Sequence, residues 1–293
     1  MYSQSETSIK YYNPKDLNEL DNLIKIVDYK LDYIAGATDM LVQDKKWQKA
    51  QTLVSLDNVQ ELKNTIEVQN NGILIGAAAP MTNIIENPYI KDRLPIMVEA
   101  CQLIGSVQIQ NRATLGGNIA NASPAGDSLP VLSVLEADLW IGPRINGDFE
   151  KMKLSQVMTG PGETTLNNNR YIAFIYIPFP ERENQFWYFR KVGQREAMAI
   201  SKLSLAIIGW RGNEKIENVR ICAGSVTAQI KRAVETEKFL IGNILTEKTI
   251  ESARLQIMEE VAPITDIRST SDYRKKICGE LLREALYIQM SLD

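Results

Sequence analysis

Two short segments combine a glycine turn with small hydroxyl and amide side chains: AGATD at 35–39 and TLGGN at 114–118. Glycine has no Cβ, so neighbouring backbone N–H groups can converge on one point and form a concave anion site. Thr38, Thr114 and Asn118 add side-chain donors. A helix beginning at about Thr38 would add its unpaired N–H groups and the positive end of its dipole. The second turn opens the longer run NRATLGGNIANASPAGDS at 111–128, whose small residues bury little and so contribute little to a core. An isolated glycine pair is most often only a chain reversal. Neither turn matches the GxGxxG dinucleotide fingerprint or the GxxxxGK[ST] phosphate loop. The residues alone leave two readings, plain turns or two halves of an anion or nucleotide cleft.

The remaining chemistry is bounded by what the chain lacks. It contains no histidine, which removes the commonest general base, the usual zinc ligand and any Ser–His or Cys–His nucleophile pair. Catalysis, if present, must lean on a cofactor. Three cysteines, Cys101, Cys222 and Cys278, lie far apart without a CxxC pair, so this chain is not expected to hold zinc or an iron–sulfur cluster. Buried free thiols in a reducing compartment are the plainer reading. The net charge of −3 offers nothing to suggest a nucleic-acid surface, and no nucleic-acid partner is expected. The polar N-terminus lacks the apolar stretch of a signal peptide, and no apolar run is long enough to span a bilayer. A cytoplasmic protein is expected, with no metal of its own.

At 293 residues, 44% of them hydrophobic, the chain is long enough for two or three subdomains with separate cores. Leu17, Leu20, Leu23, Ile24 and Val27 recur at helical spacing after an Asn-Pro start signal. A short strand follows at 33–35, then the Gly36 turn, a helix from Thr38 and a strand within 51–59. From about residue 60 the texture changes to a hairpin, 65–68 and 73–77, around the turn residues Asn70, Asn71 and Gly72. Helices are expected at 81–86, 93–104 and 128–136, and strands at 137–141 and 171–177. Pro178 and Pro180 mark a linker. Three antiparallel strands and then three helices follow, which indicates a separate α+β domain.

YIAGATDMLVQ together with GSVQIQNRATLGGNIANASPAGDSLPVL resembles the FAD-binding medium subunit of the molybdenum hydroxylases, the family of xanthine, nicotinate and carbon monoxide dehydrogenases. The resemblance extends in length and motif order over almost the whole chain, including RKVGQREAMAIS at 190–201. It implies an α+β protein: a two-subdomain FAD-binding fold of the vanillyl-alcohol-oxidase/PCMH type at 1–178, divided at about 60, followed by a small C-terminal domain at 183–293. It also implies a site. Tyr33, Ile34, Ala35, Gly36, Ala37, Thr38, Asp39 and Met40 would line the FAD pyrophosphate and ribityl chain with backbone amides. Thr114, Leu115, Gly116, Gly117 and Asn118 would clamp the other side. Asp127 would accept a hydrogen bond from a cofactor hydroxyl, although an Asp in a turn is more often a helix cap. Ile104 and Gly105 would lie near the ring system, Ile172 and Ile221 would offer it apolar contact, and Lys191 would approach its polar edge. The loop MTGPGETT at 158–165 would edge the flavin or nicotinamide approach. Two departures from the usual pattern stand out. Ala37 occupies the place of a second glycine, where a positive φ would cost energy, and Gln110 stands where Arg is common.

The implied function is electron transfer within a complex, with no catalytic side chain of the chain's own. A molybdenum-cofactor subunit would hydroxylate a substrate and a [2Fe–2S] subunit would relay electrons. Non-covalent FAD on this chain would pass them to NAD⁺ or another acceptor. TGPGETTL is similar to the loop of xanthine dehydrogenase-type members, which points to purines. Two alternatives are a stand-alone FAD oxidoreductase and a structural or assembly subunit that has lost flavin. The small final third and the absent histidine oppose the first, and the intact TLGGN and Asp127 oppose the second.

Overall fold

The protein is described here as a computed structural model covering residues 9–42, 50, 52–167, 169–195, 198–212, 214–227 and 229–291. Its first layer is a parallel sheet of β1 (Lys10–Tyr12), β2 (Asp32–Ile34) and β3 (Thr52–Ser55), in the order β1-β3-β2. The amphipathic helix Leu17–Ile26 covers it. Asp16 starts that helix by accepting from the Asn18 and Glu19 amides, a standard N-cap. Leu17, Leu20, Leu31, Val54 and Leu62 close a small core with Tyr171 and Phe174.

The second layer is antiparallel. β4 (Ile66–Gln69) and β5 (Gly72–Gly76) form the expected hairpin, with Asn70 at φ 52° in its turn. β5 pairs next with β10 (Tyr171–Pro178), which pairs with β6 (Asp138–Ile145), and β6 with β7 (Asp148–Lys153). β5 and β10 are buried along nearly their whole length, because helices cover the sheet face that would otherwise meet water. A short hairpin of β8 (Met158–Gly160) and β9 (Glu163–Thr164) lies between β7 and β10.

Three sequence expectations differ from the structure. The helix expected over 93–104 is two helices, Pro88–Arg93 and Pro95–Gln102. Pro95 disfavours helical geometry at Leu94, which sits at φ −136°, ψ 51°, and Pro95 then begins the second helix. The strand read as ending at Ile141 runs on to Ile145 and returns as β7. Asn146 and Gly147, both at positive φ, make the tight hairpin turn. The helix expected from Thr38 is a hydrogen-bonded turn through Val42, with Leu41 N–H donating to the Ala37 carbonyl; its later residues lie outside the described ones.

The C-terminal sheet comprises β11 (Gln185–Val192), β12 (Leu203–Gly212) and β13 (Lys215–Gly224), fully antiparallel. It is apolar on both faces. Ala206, Ile208, Trp210, Phe189 and Cys222 face the core of the preceding domain. Leu203, Leu205, Ile207, Val219 and Ile221 face the helices Glu247–Glu260 and Ser271–Met290. The period-2 alternation of a strand thus welds the C-terminal sheet to the preceding segments instead of leaving it tethered by a linker.

Candidate functional site

The two glycine turns meet. A Cβ on Gly36 would lie 1.7 Å from the Arg112 carbonyl oxygen and 3.1 Å from the Ala113 nitrogen, so only glycine allows the first turn to touch the segment entering the second. The second turn is rooted on the end of β5. Gly116 N–H donates to the Ala77 carbonyl at 3.0 Å, Met81 N–H to Ala113 at 2.8 Å, and Pro80 bridges Thr114. Thr114 caps the helix Leu115–Ala120 by accepting from the Gly117 amide at 3.1 Å.

The adjacent glycines do different work. Gly116 is buried, and a Cβ there would strike Ala77 at 2.5 Å. Gly117 is exposed; a Cβ on it would meet only the Thr114 hydroxyl, at 2.8 Å, among the atoms around it. Gly116 is therefore a packing glycine, and Gly117 keeps open the surface of the cradle. Leu115 is fully buried and anchors the helix, while Asn118 accepts from the Ser128 hydroxyl at 2.7 Å.

In the first turn, Ala37 sits at φ 63°. That is the left-handed region that glycine adopts freely and alanine only at a cost. Ile34, Ala35, Thr38, Asp39 and Met40 are half-buried around it, so the turn is partly open to a ligand. Tyr33 contributes backbone only. Its hydroxyl donates to the Asn169 carbonyl at 2.6 Å and its ring packs on Tyr171, and burial raises its pKa.

Across the cleft, Lys191 lies on the same face of β11 as Phe189, toward the preceding segments. Its ammonium donates to Asp127 Oδ2 at 2.6 Å and to the Leu103 carbonyl at 2.8 Å. The pair is deeply buried, with side chains 8% and 7% exposed. Burial pushes the Asp127 carboxyl up to about 6, against the pull of Lys191 and the Ser201 hydroxyl. Asp127 does not cap the following helix, and its Oδ1 is buried without a partner. A native protein seldom leaves a buried carboxylate oxygen unmatched. The loop carrying Leu103, Ile104 and Gly105 is held by Gln110, whose amide donates to the Gln102 and Ile104 carbonyls. Gly105, at φ 60°, makes the bend. The glutamine at the usual arginine position thus fixes the loop that holds Lys191.

Ile172 lies in the core that also holds Leu115, Ile119 and Phe189, behind the cradle, whereas Ile221 does not join this group. Ile172 is 4% exposed within the second-layer core, and Ile221 is wholly buried on the helix-facing side of β13. Strand alternation points Ile221 away from the cleft, a consequence of register that composition does not reveal. The 158–165 hairpin, in contrast, lies beside the small-residue run: Gly162 N–H donates to the Ala122 carbonyl at 2.9 Å, and Gln229 bonds the Thr159 carbonyl. Sequence reasoning named no role for Leu103, whose carbonyl holds Lys191, and noted Gln110 only as a departure from the usual arginine. A cavity of about 580 Å³ opens elsewhere, between Phe179, Trp210 and Arg220 at the domain junction, and includes none of the cradle residues. Among the described residues no cluster has the composition of a metal site, and no helix is long and apolar enough to cross a membrane.

Two apposed glycine turns and an open backbone cradle beside a buried Lys–Asp pair are the arrangement of a protein suited to a cofactor that bears a diphosphate. Residues 7–180 match the FAD binding domain in molybdopterin dehydrogenase, and residues 187–288 match the CO dehydrogenase flavoprotein C-terminal domain. The chain belongs to the family of FAD-binding subunits of the molybdenum hydroxylases. It is similar to the glyceraldehyde dehydrogenase medium chain of Sulfolobus acidocaldarius, 29% identical over 234 residues that cover 80% of this chain and 81% of that one. The nicotinate dehydrogenase FAD-subunit of Eubacterium barkeri is 26% identical over 91% of both chains. In fold it resembles a chain of carbon monoxide dehydrogenase from Hydrogenophaga pseudoflava, at TM-score 0.87 and 23% identity, over 95% of this chain and 96% of that chain. Its cofactor is FAD.

Proposed function

We propose that the chain is the electron-transfer subunit of a heterotrimeric, cytoplasmic molybdenum hydroxylase of the xanthine dehydrogenase type, acting on a purine and delivering electrons to NAD⁺. A partner subunit would carry the molybdenum cofactor and another the [2Fe–2S] clusters. The observation that carries the reading is the buried Lys191–Asp127 pair, which joins the C-terminal sheet to the small-residue segment beside the two glycine turns.

The residues fit FAD. The amides of 35–39 and 115–118 would hold the diphosphate, and the open face at Gly117 would admit it. When bound, FAD supplies the exchange between one-electron donors and a two-electron acceptor. The chain's own contribution is placement and electrostatics. Lys191 is held by the Leu103 carbonyl and Asp127, so its charge is fixed in a water-poor site, where a cation favours nearby negative charge more strongly than it would in water. No side chain is assigned a proton-transfer role, in keeping with a chain that has no histidine.

The purine assignment rests on the 158–165 hairpin, whose sequence is similar to that loop in xanthine dehydrogenase-type members and which is fastened beside the cradle through Ala122. The three cysteines are buried free thiols, which suits a reducing compartment. The test is purification of the native complex, followed by NAD⁺ reduction with xanthine or hypoxanthine. Purine-dependent NADH formation is the expected result. Turnover with nicotinate or an aldehyde instead, or only with a non-nicotinamide acceptor, would overturn the purine or the NAD⁺ assignment respectively.

A further inference from the structure

Ser128, the first residue of the helix Ser128–Val134, is wholly buried, and the next turns of that helix are seated in the core by Leu129, Val131 and Leu132. A buried hydroxyl is costly unless it is bonded, and alanine would fill the same place without that cost. Among the described residues the hydroxyl has one acceptor, Asn118 Oδ1, at 2.7 Å. Asn118 stands ten residues earlier, in the second glycine turn, on a helix anchored in the same core by Leu115 and Ile119. Apolar packing therefore fixes both ends of this bond, while Asn118 itself is only half-buried.

Most backbone donors of this turn already have partners. The Gly116 amide donates to the Ala77 carbonyl at 3.0 Å, the Gly117 amide to the Thr114 hydroxyl at 3.1 Å, and the Asn118 amide to the Thr114 carbonyl at 2.9 Å. A ligand that reaches these three N–H groups must share them. The Asn118 carboxamide differs. Its oxygen is taken by Ser128, and its NH2 group has no acceptor among the described residues. A carboxamide carries an acceptor on one arm and a two-hydrogen donor on the other, so fixing the oxygen also fixes where the donor stands. Without Ser128 the group is free to turn over and offer its oxygen instead.

We infer that Ser128 is a positioning residue for cofactor binding: by holding Asn118 Oδ1 it keeps the Asn118 NH2 group as a fixed donor for the diphosphate of FAD. Phosphate oxygens only accept, so a carboxamide that presents NH2 attracts them and one that presents its oxygen repels them. A hydrogen bond to an anion is also stronger than one between neutral groups, so the orientation of this one side chain carries weight. The exposed Gly117 next to it keeps the approach open. Ser128 touches no ligand itself; its effect passes through Asn118. This inference rests on FAD being the occupant of the cleft.

The test is calorimetric titration of the full chain, stripped of flavin, with FAD and separately with ADP, which carries the diphosphate without the flavin. Ser128→Ala should weaken both by the same factor, roughly threefold to tenfold, the scale of one ordinary hydrogen bond. Asn118→Ala should weaken both by roughly tenfold to a hundredfold, the scale of a hydrogen bond to a charged group. The decisive measurement is Ser128→Ala in the Asn118→Ala background. There it should change FAD affinity by less than about twofold, because the residue it acts through is gone. A packing role for Ser128 gives the same loss in both backgrounds, and that result overturns the inference. So does native FAD affinity in Ser128→Ala, or a loss for FAD with ADP unchanged. In each of these cases the FAD assignment stands; if the native chain binds no FAD, both fall. Should Ser128→Ala fail to fold, Ser128→Cys, close in size but a weaker donor, takes its place in the same cycle and is judged by the same outcomes.

Discussion

Replacing Ala37 by glycine should stabilise the chain. Ala37 sits at φ 63° in the first turn, where the Leu41 amide donates back to its carbonyl at 3.2 Å and the preceding Gly36 is pressed against the Arg112 backbone. The turn is therefore held from both sides and cannot relax to negative φ without losing the contact between the two turns. An L-residue in this conformation costs about 1–2 kcal/mol. Glycine removes that cost but has more freedom in the unfolded chain, which returns about 0.4–1 kcal/mol. The net expectation for Ala37→Gly is a gain of about 0.5–1 kcal/mol, or about 1–4 °C in Tm for a domain of this size. Scanning calorimetry of the flavin-free native and variant chains reads it directly. FAD affinity should change little, because the backbone already holds the required shape. A variant that melts lower, or one whose crystal structure shows residue 37 at negative φ, would refute the reasoning.

The two glycines of the second turn should separate stability from binding. Gly116→Ala should destabilise the chain by about 1–3 kcal/mol through overpacking against Ala77, read by urea unfolding, while Gly117→Ala should leave the unfolding midpoint nearly unchanged and weaken FAD in a binding titration. Asp127 ionises at about 6 in the folded chain, above the usual carboxylate value, so its contribution to stability is full below about pH 4 and lost as pH rises through 6. The stability of Asp127→Asn relative to the flavin-free native chain should therefore rise by about 2 kcal/mol between pH 4 and 7; a flat difference across that range would contradict the assignment. Lys191→Met strands the Asp127 carboxylate and should cost about 3–5 kcal/mol at neutral pH. It should also make the potential of bound FAD more negative, measured by spectroelectrochemical titration.

The elements that form from local signals were legible in the sequence. The Asn70–Gly72 turn marks the β4–β5 hairpin, and LSLAIIGWR at 203–211 reads as a strand, which β12 is. The small residues of 111–128 left plain turns and a cleft open until the family resemblance favoured the second. Elements that depend on distant partners were not legible. Lys191 and Asp127 are 64 residues apart and meet only because β11 turns that face toward the FAD-domain segments. Ile221 was expected at the flavin, but its register on β13 sends it into the opposite core. The Asn146–Gly147 hairpin carried a readable signal that the strand assignment ending at Ile141 passed over. The segment after Ala37 has helical composition up to Val42, yet its described residues form only a turn, at a site where the backbone follows the second glycine turn rather than local propensity.

The most direct test of the account is the visible absorption spectrum of the purified full chain, taken before and after acid precipitation and again after reconstitution with FAD. The account predicts flavin bands whose chromophore appears in the supernatant as intact FAD, since the chain contains no histidine to bond it and its three cysteines are buried. A colourless chain that takes up no FAD on reconstitution, or a flavin that stays with the precipitated protein, would contradict it.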